Sequence, residues 1–303
     1  MAVASLLCRS LMPLRRLAGL GSELEATRGG IQWHLDLTEG VDLAIYLFGR
    51  FESGTVRVFR RLLRPGSVVV DIGANSGANT LELARCVAPS GRVVAFEPTR
   101  YAVERLRRNL ELNPTLSRVV TVEHAFLVDD DSREPMPEFY ASWPLTGETT
   151  VDVHRDHRGQ LKSAEGASRW TLDRYVKDKN IDSVRLIKLD VDGLEWSVLK
   201  GAGKTLARFQ PFIVMELAPY VLDEREGSLE GIVELMREAS YDFTDVSSGD
   251  KVPMSADGLR AKIPQGAGIN VLARPMRGRG AGIPEAVSNE LDAPRGEDHH
   301  LQE

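Results

Sequence analysis

Val68–Gly77 reads VVVDIGANSG, and its reading decides the fold. A run of β-branched residues leads into Asp71, and the chain then passes through Gly73, Asn75 and Gly77 into the helix-like pattern TLELARCV. The pattern predicts a buried strand, a tight turn and a helix N-terminus, the place where an α/β sheet holds a nucleotide-like ligand. The order of small residues narrows the choice of ligand. A dinucleotide site needs G-x-G-x-x-G to bring backbone amides against a pyrophosphate, whereas here the order is G-x-N-x-G.

Without a pyrophosphate to cradle, such a turn can lay its backbone against the methionine part of S-adenosyl-L-methionine (SAM), with Asp71 taking the amino group directly or through water. A second acid supports this. The apolar run RVVAF ends at Glu97, and Pro98 follows and stops the strand. A carboxylate at the tip of the neighbouring strand is placed to accept two ribose hydroxyls. Beyond it, YAVERLRRNLELN predicts a helix closed at Asn113 and Pro114, and VVTVEHAF a third strand, with Phe126 beside the adenine position.

Strand and helix alternate further down the chain, which implies a parallel sheet. In VRLIKLDVDGLEWSVLKGAGKTL a strand meets a helix at Lys188, Asp190, Asp192 and Glu195. Alternation puts Lys188, Asp190 and Asp192 on one side of the strand. Charges sharing a buried strand are either paired or working, so a structural ion pair and a catalytic role both fit. PFIVMELAPY adds a strand ending at Glu216, and two closing strands, the last antiparallel, make seven. The expected fold is therefore α/β and Rossmann-like, a seven-stranded, mostly parallel sheet with helices on both faces.

Composition sets outer limits. A chain of 303 residues with 42% hydrophobic content can bury one large core. A net charge of −6 argues against a nucleic-acid partner. Cys8 and Cys86, the two cysteines, make neither a disulfide framework nor a zinc site, and a cytoplasmic location is expected. His154 and His157 stand at H-x-x-H spacing without a third ligand, so no metal is expected. No apolar run has the length of a membrane span. Residues 1–22 hold Arg9, Arg15 and Arg16 and no acid, and predict a short amphipathic helix. A surface helix packed on the domain is the expectation there, with a transit or membrane-surface segment as the alternative.

The division expected is an N-terminal segment over 1–30 and a single catalytic domain over 31–276. Within that domain lie a cap over 31–66, where Tyr46, Phe48 and Phe51 are candidates to line the cleft, and a variable insertion over 129–170. Residues 277–303 are expected to form a disordered tail.

VVVDIGANSG, VVAFEP, LIKLDVDGLEWSVLKGA and PFIVMEL together resemble the FkbM family of SAM-dependent methyltransferases, over roughly Ile31 to Pro275. The resemblance implies a class I methyltransferase fold, SAM as donor, and a hydroxyl oxygen of a sugar, glycolipid or polyketide-type small molecule or glycan as acceptor. It places the SAM turn on Asp71, Gly73, Asn75 and Gly77, the ribose carboxylate on Glu97, and the family's K-x-D-x-E-G-x-E signature on Lys188, Asp190, Asp192, Gly193 and Glu195. Asp192 stands where the family usually has Glu, which draws that charge back by over an ångström. Asp190 and Glu195 are the candidates for the base that takes the acceptor's proton, with Lys188 beside them. Two alternatives are a nicotinamide-dependent oxidoreductase and a SAM-binding protein without turnover. The first lacks G-x-G-x-x-G.

Overall fold

The structure is a computed structural model that describes residues 2–130, 139–145, 159–225 and 227–276. Its strands in chain order are β1 (Glu23–Arg28), β2 (Ile31–Asp36), β3 (Val68–Ile72), β4 (Arg92–Glu97), β5 (Val120–Leu127) and β6 (Phe139–Ser142), then β7 (Gln160–Lys162), β8 (Ser168–Trp170), β9 (Leu186–Leu189), β10 (Phe212–Leu217), β11 (Tyr241–Asp245) and β12 (Ile269–Pro275). The central sheet runs β11-β12-β10-β9-β3-β4-β5-β8. β12 is antiparallel to both its neighbours, as expected of the last strand, and every other pairing in this sheet is parallel. The sheet thus has eight strands where seven were expected. The extra one is β8, three residues that extend the edge beside β5.

Parallel strands covered on both faces read as apolar runs, which is why VVVDI and FIVMEL are so legible. Val70, Ile72, Phe96, Ile187, Leu189 and Met215 turn to one face and pack under helices Leu172–Asp178, Glu195–Lys200 and Leu229–Glu238. Val69, Val93, Leu186 and Val214 turn to the other, against helices Ser53–Leu62 and Ala78–Val87. Side chains alternate along a strand, so Asp71 and Lys188 share this second face, and they stand directly opposite each other in the β3–β9 register.

Local polar bonds fix several helix starts. The Thr99 hydroxyl accepts from the Ala102 N–H and Thr171 from the Arg174 N–H. Asp173, two residues further on, accepts from the N–H groups of Lys204 and Thr205 and so caps a different helix, Gly203–Phe209. Residues 23–36 form the β1–β2 hairpin, whose first arm falls within 1–30. Its Ile31, Trp33 and Leu35 build a separate apolar cluster with Leu43 and Ile45 of helix Gly40–Phe48 and with Cys8 and Met12 of helix Ala2–Leu17. No helix among the described residues is long and apolar enough to cross a membrane. His154, His157 and residues 277–303 lie outside the described residues.

Candidate active site

A cavity of about 270 Å3 opens at the carboxyl ends of β3, β4, β9 and β10, the edge where ligands sit in open α/β sheets. Its first wall is the turn after β3. The N–H groups of Gly73 and Ala74 both donate to the Phe96 carbonyl, tying the turn to β4. Gly73 has φ +83°, and a Cβ on it would lie 1.9 Å from the Asp190 carbonyl oxygen. Glycine is therefore required twice over, by the backbone angle and by the close passage of the chain leaving β9. Gly77, also at positive φ, has its open face filled by Leu106.

Asn75 adopts φ 49° and donates its N–H to Glu97 Oε2 at 2.9 Å. Glu97 Oε1 accepts from both the N–H and the hydroxyl of Thr99, at 2.9 and 2.7 Å. The strand-end acid thus clamps the turn as well as facing the cleft. Three of its acceptor positions are filled, which leaves one for a ligand hydroxyl. Burial pushes its pKa up, against the pull of the bonds from Thr99 and Asn75.

Asp71, expected to take the amino group of the donor directly or through water, is set back from the cavity. It is fully buried, does not line the cavity, and accepts from the Thr80 hydroxyl at 2.6 Å through Oδ2, while Oδ1 has no partner. Burial raises its pKa to about 6, with Lys188 and Thr80 pulling the other way. Phe126 is also set one layer back. It packs against Phe139 with ring centroids 5.3 Å apart, and Phe139 is the ring that lines the cavity.

The opposite wall is the turn after β9. Lys188 is buried and donates to Asp190 Oδ2 at 2.8 Å, and Asp190 faces the cavity. Burial works against the lysine's charge, yet Asp190, Glu52 and Asp71 together hold its pKa above the usual range. Glu195 is turned away from the cleft. Its two oxygens accept from the N–H groups of Val191 and Gly193, at 2.9 and 3.0 Å, so it closes the turn that carries Asp192 at φ 48° and Gly193 at φ 96°. Burial lifts Glu195 to about pKa 7 despite these bonds.

Three residues that sequence reasoning did not count as site residues complete the cavity. Glu216, noted as a strand end, brings its carboxylate together with those of Asp190 and Asp192, their oxygens within 4.8 Å of one another. Burial and the mutual repulsion of these acids raise the pKa of Asp192 and of Glu216. Such a group of three holds protons or gathers a cation. Glu52, at φ 47°, accepts from the Asn270 amide at 2.7 Å and has its other oxygen buried without a partner. Asn79 likewise has a buried, partnerless Oδ1. The signal for Glu52 is the pair of glycines, Gly49 and Gly54, bracketing it in GRFESG; Asn79 gave none.

Two outlying regions supply the rim. Phe51 lines the cavity, whereas Tyr46 lies under Arg28 and Phe48 is solvent-exposed. Phe139, Tyr140 and Trp143 come from the 129–170 stretch. Glu39 joins the two regions, accepting from the Ser142 hydroxyl and the Trp143 N–H, both at 2.8 Å. Among the described residues the lining includes five carboxylates, those of Glu52, Glu97, Asp190, Asp192 and Glu216, and neither Lys, Arg nor His. The cavity is therefore suited to a ligand that carries positive charge and offers hydrogen bonds to Glu97, Glu52 and Asn79, which a sulfonium nucleoside bearing an ammonium group does.

Comparison with known proteins agrees with that chemistry. The description "Methyltransferase FkbM domain" matches residues 71–243, more than half of the chain. The 2-O-methyltransferase NoeI of Sinorhizobium fredii (strain NBRC 101917 / NGR234) is 25% identical over 202 residues, spanning 62% of this chain and 79% of that protein. The hexuronic acid methyltransferase AglP of Haloferax volcanii is 25% identical over 171 residues, 55% of this chain and 63% of that one. The crystal structure of an FkbM methyltransferase from Methylobacillus flagellatus KT superposes with a TM-score of 0.40 at 15% identity, covering 72% of this chain and 50% of that one. The chain belongs to the FkbM family of methyltransferases, and its methyl donor is S-adenosyl-L-methionine.

Proposed function

We propose that this methyltransferase acts on oxygen, methylating a hydroxyl of a sugar, glycolipid or polyketide-type small molecule. The observation that carries the reading is Asp190, a carboxylate held by a buried lysine on one side and open to the cavity on the other. A neutral alcohol attacks poorly until its proton leaves, and a fixed carboxylate at the acceptor side is the group that takes it. Two relatives support the acceptor class through their names, one a 2-O-methyltransferase and one a hexuronic acid methyltransferase. Membership of a methyltransferase family disposes of the nicotinamide alternative.

Bound SAM supplies an electrophilic methyl on a positively charged sulfur. In this reading the chain's residues do the rest. Glu97 accepts one ribose hydroxyl through its unfilled position, and Gly73, Asn75 and Gly77 shape the wall beside it. Asp71 holds the turn from behind through Thr80, and Phe126 backs Phe139 at the adenine side. Asp190 takes the proton, Lys188 fixes its orientation, and Glu195 keeps the turn closed. Alignment of the acceptor and exclusion of water contribute most of the remaining rate. Residues 31–276 then form one catalytic domain, with the Glu39-linked rim selecting the acceptor.

The test is a screen of hydroxylated sugars, glycolipids and polyketides incubated with the protein and SAM. A mass gain of one methyl, mapped to an oxygen, is expected for at least one class. Gain on nitrogen or carbon instead would overturn the oxygen assignment.

A further inference from the structure

Helix Ala2–Leu17 has two faces of different kinds. Cys8 and Met12, one turn apart, are 0% and 7% exposed and sit in the cluster built by the β1–β2 hairpin and helix Gly40–Phe48. The Cys8 thiol also donates to the Leu37 carbonyl. This helix is thus part of the fold on its inner side. Leu6, Leu14 and Leu17 follow at spacings of eight and three residues, so they fall on the outer side, 66%, 65% and 86% exposed, and Leu7 beside them is also exposed. Leu20 just beyond the helix is exposed too, as are Leu47 and Phe48 at the end of helix Gly40–Phe48, which contacts it.

Single exposed leucines are ordinary, but a contiguous row of them marks a surface that meets something apolar. Charge says what. Arg9, Arg15 and Arg16 are the only charged residues in positions 1–22, in a chain whose net charge is −6. Positive charge is gathered here and outweighed elsewhere. An anionic lipid surface offers both partners at once, headgroup charge for the arginines and acyl chains for the leucines.

We propose that the outer face of helix Ala2–Leu17 seats this protein on the surface of an anionic lipid bilayer. The helix lies in the plane of the interface with its leucines inserted, and its inner face stays docked on the domain. Helix Gly40–Phe48 links this face to the cleft: Gly40 and Val41 at its start line the cavity, and Phe48 at its end is exposed. At 1.5 Å per residue the rise from Val41 to Phe48 is about 10 Å, so the active site works close to the lipid surface.

Flotation of the full chain with vesicles tests this. Phosphatidylglycerol-containing vesicles should recover the protein, phosphatidylcholine vesicles should not, and added salt should release it. Leu14→Glu with Leu17→Glu should lower recovery about tenfold or more while leaving SAM affinity unchanged. Should that double variant fail to bind SAM, the single Leu17→Ser change, at the most exposed of these leucines, replaces it. Equal recovery on neutral and anionic vesicles, or recovery indifferent to the substitutions, would overturn the proposal. So would a dimer that the substitutions dissociate in a protein that ignores vesicles.

Discussion

The two walls of the cleft are held by different physics. At the ends of β3 and β4, Gly73, Asn75 and Glu97 form a closed set of hydrogen bonds, with Phe96 and Thr99 filling almost every acceptor and donor. At the ends of β9 and β10, Asp190, Asp192 and Glu216 crowd like charges together, with the buried cation of Lys188 and the guanidinium of Arg225 against them. The first wall is a preformed shape, suited to the methyl donor. The second is an electrostatic arrangement of crowded carboxylates, suited to an acceptor that gives up a proton.

That contrast can be broken most severely at Asp190. If this carboxylate is the base, Asp190→Asn lowers kcat by about 10²–10⁴-fold while SAM affinity changes little, as steady-state kinetics beside a binding titration would show. Unchanged turnover would remove Asp190 from the chemistry and leave it a partner of Lys188.

Gly73 is where the two walls touch. A methyl group there meets the Asp190 carbonyl at 1.9 Å, so Gly73→Ala must displace one turn or the other. A loss of about 3 kcal/mol in denaturant unfolding is expected, from positive φ and steric overlap together. Gly77→Ala should cost less, since the obstructing atom is the end of the Leu106 side chain.

A smaller effect sharpens the contrast through pH. Glu195 carries its proton to about pH 7 in the folded protein but to about 4.5 when unfolded. Between those values the folded state binds more protons than the unfolded state, so stability falls as pH rises through this window. The full span is of order 3 kcal/mol. Glu195→Gln should flatten that slope in urea melts run from pH 4.5 to 7, at the cost of one backbone bond to the turn. A slope that survives would belong to the other buried acids whose pKa is raised, Asp71 and Asp42, each to about 6, with Asp192 and Glu216.

Much of the first wall was legible because its cause is local. β-Branched residues in a strand buried on both faces, a glycine forced by backbone angle, and an acid closing the next strand all leave marks at fixed spacing. Asp71 shows where this stops. The residue was legible but its aim was not, because its side chain follows the alternation of β3 toward Lys188 and Thr80, beneath the turn. Glu195 was placed at the right turn, yet the backbone amides of Val191 and Gly193 claim both its oxygens. Glu52 depends on Asn270, a residue from the far end of the fold, and no spacing rule connects them. The short strand β8 is legible in SRW, but its place beside β5, which brings it into the main sheet, is set by the fold and by no spacing.

The claim beneath the whole account is that Glu97 both clamps the turn and grips the donor. Calorimetric titration of SAM into Glu97→Ala tests it directly. Loss of the hydrogen bonds from Asn75 and Thr99 and of the ribose contact predicts affinity weaker by about 30-fold or more in a protein that still folds. Binding within about twofold of the unmodified chain would contradict it.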